Sequence, residues 1–157
     1  MNSSKHYSLD ALLATVSKWK LQDEKIVFTN GCFDVFHAGH AFILNTAKTF
    51  GTKLIVGLNS DSSITNLKGT SRPINKEQNR VYVLSSLEAV DAIVVFDDAT
   101  PLELIKAIQP NILVKGGDYA IKSIVGAKEV LANGGKVEVV PLVDGLSSSK
   151  IIEGLEL

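Results

Sequence analysis

The stretch that decides the predicted fold is residues 25–40, KIVFTNGCFDVFHAGH. Its first five residues are rich in apolar and β-branched side chains that scarcely alternate with polar ones, which is typical of a strand buried on both faces. A polar turn with glycine follows, and apolar residues then recur at helical spacing as far as Phe50, where Gly51 closes the helix. The stretch therefore predicts a strand, a tight turn and a helix.

Four further apolar runs extend this pattern along the chain. They are residues 53–59, 92–96, 111–115 and 136–141. Helical patterns lie between them, including one that opens with a predicted capping box at Asn75 and Gln78 and another that opens at Thr100-Pro101. Regular alternation of strands and helices predicts an α/β fold with a parallel sheet and right-handed crossovers.

The N-terminal segment has a different pattern from the rest. Apolar residues recur at helical spacing over residues 9–19, which predicts an amphipathic helix. We expect residues 1–24 to form an extension that packs on the domain or on a partner subunit, with residues 1–7 loose. The domain itself is expected to span residues 25–157.

Composition excludes several classes of protein. The chain has 157 residues, a formal net charge of −1 and one cysteine. The balanced charge argues against a general electrostatic grip on nucleic acid or an anionic membrane, and a single cysteine cannot form an internal disulfide. No apolar run approaches the ~20 residues of a membrane span, and no signal peptide is evident. We therefore expect a cytoplasmic protein that binds small molecules, without nucleic acid or membrane.

The strongest chemical signal is the sequence His37-Ala38-Gly39-His40 at the start of the predicted helix. Free backbone N–H groups, the positive end of the helix and two imidazoles at one turn's spacing favour a phosphate site. Three alternatives are open: histidines that only cap the helix, a metal site that adds Cys32 and Asp34, and a nucleophilic Cys32.

Other polar residues follow the ends of the predicted strands. Asn59 follows the second strand, Gly116, Gly117 and Asp118 follow the fourth, and three serines at 147–149 precede the last helix. Because ligands bind beyond the carboxyl ends of parallel strands, these positions are candidate site residues. The basic residues Lys68, Arg72 and Arg80 lie between the second and third strands. Neither a P-loop nor a dinucleotide fingerprint is present, so a nucleotide would be held differently.

Two motifs together resemble the cytidylyltransferase-like nucleotidyltransferases. The first is the pattern T-x-G-x-F-D-x-x-H-x-G-H of residues 29–40, and the second is GLSSSKI, residues 145–151. The resemblance covers residues 24–155. It implies a Rossmann-like three-layer αβα sandwich with a five-stranded parallel sheet in the order 3-2-1-4-5.

Several loops are similar to those of family members that transfer AMP from ATP to D-glycero-β-D-manno-heptose 1-phosphate, giving ADP-heptose and pyrophosphate. These stretches are FTNGCFD, HAGH, NSD, LKGTSRPIN, LEAVD, TPLELIKAIQP, LVKGGDY and LANGG. The chain departs from that group at Ser148-Ser149, where threonines are usual, but the hydroxyls are kept. Transfer to glycerol 3-phosphate, FAD synthesis, and nucleotide binding without catalysis are the alternatives.

The resemblance also implies roles for individual residues. The catalytic residues would be His37, His40, Lys68 and Ser148. The nucleotide would contact Thr29, Asn30, Gly31, Phe33, Gly39, Arg80, Gly116, Asp118, Ser147 and Ser149. The acceptor would contact Asp34, Asn59, Lys68 and Arg72. No residue is expected to ligate a metal directly, and Mg²⁺ would be bound through the triphosphate of ATP. The resemblance further implies a homodimer and a separate sugar kinase that supplies the 1-phosphate.

Overall fold

The computed structural model describes residues 3–143 and 145–154. The strands are β1 (His6–Tyr7), β2 (Ile26–Gly31), β3 (Lys53–Asn59), β4 (Ala92–Phe96), β5 (Ile112–Gly116) and β6 (Lys136–Val140). The helices are α1 (Leu9–Leu21), α2 (Ala38–Thr49), α3 (Asp61–Lys68), α4 (Glu77–Ser85), α5 (Leu102–Ile108), α6 (Ala127–Ala132) and α7 (Ser148–Glu153), with a short 3₁₀ turn at Ile121–Ser123. None of the helices among these residues is long and apolar enough to cross a membrane.

The sheet has six parallel strands in the order β1-β4-β3-β2-β5-β6. The prediction of a parallel α/β sheet is confirmed, but the prediction of five strands in the order 3-2-1-4-5 is wrong. The additional strand is β1, which pairs His6 with Ile93 and Tyr7 with Val94 at the edge of the sheet. A two-residue strand is too short to show a period in the sequence, and it forms only because β4 offers it an unpaired edge.

Helices cover both faces of the sheet. On one face α1, α5 and α6 bury apolar side chains around Phe28, and on the other face α2 and α4 bury theirs around Val56. Both Phe28 and Val56 are fully buried. This arrangement explains why the sequences of the inner strands β2 to β5 are mostly apolar, because these strands contribute to the core on both faces of the sheet.

The N-terminal segment is part of the domain core. Leu12 and Val16 of α1 are buried in the same cluster as Phe28, and Ser8 caps the helix by accepting a hydrogen bond from Ala11 N. The expectation that residues 1–7 are loose is wrong for His6 and Tyr7, which lie in the sheet. The apolar face of α1 packs on its own domain.

Two features between β3 and β4 differ from the sequence prediction. A helix, α3, follows β3 directly and is capped by Ser60, whose Oγ accepts from Ser63 N. The predicted capping box at Asn75 is wrong, because α4 begins at Glu77 and the Asn75 amide donates to Asp34 O instead. Asparagine competes well for such non-helical hydrogen bonds, and a motif alone does not show which partner it takes.

The packing of α1 predicts that the helix contributes to the stability of the whole domain. Replacing Leu12, which is fully buried, by alanine should lower the free energy of unfolding by about 2–5 kcal/mol. Urea denaturation followed by circular dichroism measures this loss. The matched control is Leu21→Ala in the same helix, where the side chain is 87% exposed and a change within about 0.5 kcal/mol is expected. Equal losses in the two variants would contradict the core position of α1.

Candidate functional site

The carboxyl ends of β2, β3 and β5 meet at one edge of the sheet, and β2 lies between the other two. After β2 the chain adds β3 and β4 on one side of β2 and then β5 and β6 on the other side. The direction in which strands are added to the sheet therefore reverses at β2, and such a reversal leaves a crevice at the carboxyl ends of the strands. A first cleft of ≈ 290 Å³ occupies this crevice. It brings together twelve of the residues predicted from the sequence. They are Thr29, Asn30, Gly31, Phe33, His37, Gly39, His40, Lys68, Gly116, Ser147, Ser148 and Ser149.

His37 is positioned as the N-cap of α2. Its Nδ1 accepts a hydrogen bond from Gly39 N at 3.1 Å, so the proton of the neutral ring is on Nε2. A Cβ at Gly39 would lie 2.9 Å from Cε1 of His37, so glycine is needed for this ring position. Burial lowers the pKa of His37 from its ordinary value. The ring therefore presents an N–H donor to the cleft while remaining uncharged near neutral pH.

His40 stacks on His37, with the ring centroids 3.9 Å apart. Phe33 contacts the same ring edge-on at 5.1 Å. Burial, together with the nearby His37 and Lys68, lowers the pKa of His40 to about 4. Its Nδ1 is buried and has no hydrogen-bond partner among the described residues. A buried ring nitrogen without a hydrogen bond lowers the stability of the protein, and a bound ligand that forms this hydrogen bond would remove the penalty.

The serines after β6 line the same cleft as the histidines. Ser147 caps α7 by accepting a hydrogen bond from Lys150 N, and Ser148 Oγ donates to Val35 O at 3.0 Å. The second contact ties α7 to the turn that carries the histidines. The two motifs from the ends of the sequence therefore form one continuous surface around the first cleft.

Two of the predicted acceptor residues contact each other instead of the cleft. Asp34 is 2% exposed, and its carboxylate accepts from Arg72 Nε at 2.6 Å and from the backbone N–H groups of Ile74 and Asn75. Burial alone would raise the pKa of Asp34, but these hydrogen bonds and the Arg72 charge outweigh it and lower the pKa. Within the described part of the chain, neither residue lines the first cleft. Asp34 thus holds the loop of residues 72–75 in place.

Arg80 lies behind the cleft wall. Its side chain is 1% exposed and donates to Cys32 O, Asn59 O and Asn75 O, and it forms an ion pair with Asp61 at 2.9 Å. The prediction that Arg80 contacts the nucleotide does not agree with this position, because the guanidinium is already occupied by protein acceptors. Its role is to join the ends of β2 and β3 and the loop before α4.

Two further predicted residues lie outside the first cleft. Asn59 is buried, and its Nδ2 donates to Ser63 Oγ at 3.0 Å, while the residue lines a neighbouring cleft. Asp118 is exposed and lies in neither cleft lining as far as the structure describes it.

A second cleft of ≈ 350 Å³ lies beside the first. The two clefts share Asn30, Gly31, Cys32 and Lys115. Lys115 was not predicted as a site residue from the sequence, although its position at the carboxyl end of a predicted strand is typical of ligand-binding residues. The apolar residues of the first cleft were also not predicted. They are Ile43, Leu142, Val143 and Leu146.

The metal alternative has no support in the geometry. Among residues 3–143 and 145–154, no three His, Cys, Asp or Glu side chains are grouped closely enough to hold a metal ion. Asp34, one of the four suggested ligands, points to Arg72. The lining that is described for the first cleft contains no carboxylate.

Comparison with known proteins agrees with this geometry. The family model for cytidylyltransferase-like proteins matches residues 28–154. The bifunctional protein HldE of Koribacter versatilis is 55% identical over 142 residues, which are 90% of this chain and 29% of that protein. The chain thus spans about a third or less of the length of the curated relatives it matches.

Solved structures share the fold. A lipopolysaccharide core biosynthesis protein from Thermoplasma volcanium is 25% identical with a TM-score of 0.60, covering 76% of this chain and 97% of that one. A pantoate-β-alanine ligase from Francisella tularensis has a TM-score of 0.63 at 15% identity, covering 95% and 76%, and supports the fold alone.

The histidine pair predicts a proton uptake that depends on an anionic ligand. In the free protein His40 should titrate near pH 4, since burial and the adjacent His37 disfavour the charged ring. A saturating nonhydrolysable ATP analogue should raise the pKa values of both rings, because phosphate oxygens favour imidazolium. Histidine NMR titration measures this, and His6, exposed on β1, is the internal control that should not respond. A His40 pKa that stays unchanged on adding the analogue would contradict phosphate contact.

The buried ion pair predicts a structural role for Asp34. Asp34→Asn should lower the free energy of unfolding by about 3 kcal/mol, because the Arg72 guanidinium then loses its buried counter-charge. Because folding lowers the pKa of Asp34, the difference from wild type should shrink as pH falls through the carboxyl range. Urea denaturation at several pH values tests both statements. Glu103→Gln, which breaks an exposed pair with Lys106, is the control and should cost less than ~1 kcal/mol. A loss from Asp34→Asn no larger than this control would contradict the role.

Proposed function

The chain belongs to the cytidylyltransferase-like family, and we propose that it is a nucleotidyltransferase that transfers AMP from ATP to D-glycero-β-D-manno-heptose 1-phosphate. The products would be ADP-heptose and pyrophosphate. The observation that carries the proposal is the pair of stacked, uncharged imidazoles at the start of α2, which line one cleft together with Lys68 and three serines. Few ligands other than a polyphosphate use so many hydrogen-bond donors at a helix start.

The reaction needs positioning and charge stabilisation more than covalent chemistry. A phosphate oxygen of the acceptor attacks the α-phosphorus of ATP, and the bond between that phosphorus and the bridging oxygen to the β-phosphate breaks. The electron pair leaves with pyrophosphate. The Nε2 proton of His37 and the His40 ring would meet the phosphate oxygens on which charge accumulates. Lys68 supplies a formal positive charge at the same wall.

The remaining donors would hold the nucleotide in place. The backbone around Gly31 and Phe33, at the end of β2, and the hydroxyls of Ser147 and Ser149 face the cleft where the triphosphate would lie. Ser148 would act through its contact with Val35, which keeps α7 against the histidine turn. Mg²⁺, when bound, would neutralise the triphosphate and its leaving group. The absence of carboxylates in the described lining fits an ion held mainly by the nucleotide.

The heptose 1-phosphate is proposed as the acceptor because of the loop sequences and the relatives that the chain matches. The stretches similar to heptose-adenylylating members include the loop that Asp34 holds in place. The relatives that match at about half identity carry the name bifunctional protein HldE. A kinase would have to supply the sugar 1-phosphate, because the proposed reaction starts from an already phosphorylated acceptor.

We also propose a homodimer, which the resemblance implies, and a cytoplasmic location, which the single cysteine favours. The face of α1 that was expected to contribute to a dimer is used within the domain, where Leu12 and Val16 are buried. Any subunit interface would therefore use another surface.

The direct test is a pyrophosphate-release assay with a matrix of nucleoside triphosphates and phosphorylated acceptors. Release should require ATP together with the heptose 1-phosphate. Activity only with CTP and glycerol 3-phosphate, or only with ATP and FMN, would overturn the proposed substrate. His40→Asn should lower kcat by about 10²–10³, as is typical for loss of one transition-state donor. His6→Asn, at an exposed position on β1, is the matched control and should keep full activity. Full activity in His40→Asn would argue that the histidines only cap α2.

A further inference from the structure

The second cleft is built differently from the first. Its walls are the carboxyl end of β3 at Asn59, residues 99–101 after β4, and Tyr119 with residues 123–125 after β5. The exposed ring of Tyr119 and the side chains of Leu67 and Val125 give it apolar surface. Asn59, Thr100 and Ser123 add amide and hydroxyl groups. Such a mixture suits a small polyol, whose C–H groups pack on apolar surface while its hydroxyls form hydrogen bonds.

Lys115 lies on the wall that the two clefts share. It is the residue before the last in β5, and it lines both cavities. It is partly buried, and burial lowers the pKa of its ammonium, with a smaller opposing effect from Cys32. Its Nζ lies 5.8 Å from the centre of the Tyr119 ring.

The lack of a counter-charge distinguishes Lys115 from several other lysines. Lys48, Lys53 and Lys106 each pair with a carboxylate. Within the residues that the structure describes, Lys115 Nζ has no carboxylate partner and no hydrogen-bond acceptor. A partly desolvated cation without a partner gains most from an anion that enters the cavity.

We infer that the second cleft binds the phosphorylated acceptor and that Lys115 holds the acceptor's phosphate against the nucleotide in the first cleft. The inference rests on the proposed nucleotidyl transfer and adds the place where the acceptor binds. Both substrates are anions, and their reacting phosphates must come within bonding distance. A lysine between the two cavities offsets the repulsion of these phosphates at the point where they meet. Lys115 is thereby assigned as a catalytic residue that acts through its charge.

The assignment predicts a selective kinetic defect. Lys115→Met should lower kcat/KM for the sugar 1-phosphate by ~100-fold or more, since one charged donor to the reacting phosphate is lost. The KM for ATP should stay within about threefold, because the other donors of the first cleft are intact. Lys115→Arg, which keeps the charge, should recover part of the activity. Lys122→Met, an exposed lysine in the neighbouring 3₁₀ turn, removes the same charge and should behave as wild type.

Two kinetic results would overturn the assignment. One is a rise in the KM for ATP with an unchanged KM for the sugar phosphate, which would place Lys115 on the nucleotide. The other is equal activity of Lys115→Met and Lys122→Met. Thermal melts of all variants show whether a loss of activity reflects unfolding, and Lys115→Arg keeps the comparison informative if the methionine variant is unstable.

A binding measurement separates this inference from the proposed function. NMR of ¹³C-labelled lysine side chains, in the absence of ATP, can follow Lys115 during titration with the heptose 1-phosphate and with mannose 1-phosphate. A saturable shift of Lys115, with Lys122 unchanged, supports the acceptor site even if no pyrophosphate is released with any acceptor, in which case only the proposed reaction fails. The lack of a Lys115 shift with either sugar phosphate would overturn the inference, whatever the assay shows.

Discussion

The buried guanidinium of Arg80 is the contact on which the site's geometry depends most. It joins the turn after β2 through Cys32 O, the end of β3 through Asn59 O, the start of α3 through Asp61 and the loop before α4 through Asn75 O. A charge can be buried this deeply only when such acceptors replace water. Since these segments form or support the walls of both clefts, Arg80 contributes to the positions of Lys68, Asn59 and the histidine turn.

The positive charges of the site divide into two groups. Arg72 and Arg80 each pair with a buried or half-buried carboxylate and fix the loops. Lys68 and Lys115 face the clefts, and neither forms an ion pair within the described structure. The first group fixes the shape of the site, and the second group would supply positive charge to an anionic ligand. The formal net charge of −1 is therefore compatible with the proposed anionic substrates, because the two lysines at the clefts would act locally.

This division also shows what the sequence could and could not predict. β3 and β4 were predicted with the bounds they have, because strands covered on both faces are continuously apolar. β1 was not predicted, because a strand of two residues is too short to show a pattern of apolar side chains. The predicted histidines, glycines and serines that line the first cleft lie at strand ends or helix starts, where local sequence sets their position, and their roles stay predictions. Asp34 and Arg80 were given the wrong partners, because a sequence displays a charge but not the distant group that neutralises it.

The histidine pair determines the electrostatics of the empty cleft and bears on those of the proposed complex with a triphosphate. Two rings stacked at 3.9 Å cannot both be charged without strong repulsion, and the pKa of His40, near 4, keeps that ring neutral in the empty cleft. In the proposed function, attraction of an incoming triphosphate would therefore come from the lysines that face the clefts. In the proposed complex, phosphate oxygens against the rings would make the imidazolium form less unfavourable, so positive charge would be added where the proposed reaction generates negative charge. The cleft thus avoids a permanent cluster of buried cations, whose mutual repulsion would destabilise the empty protein.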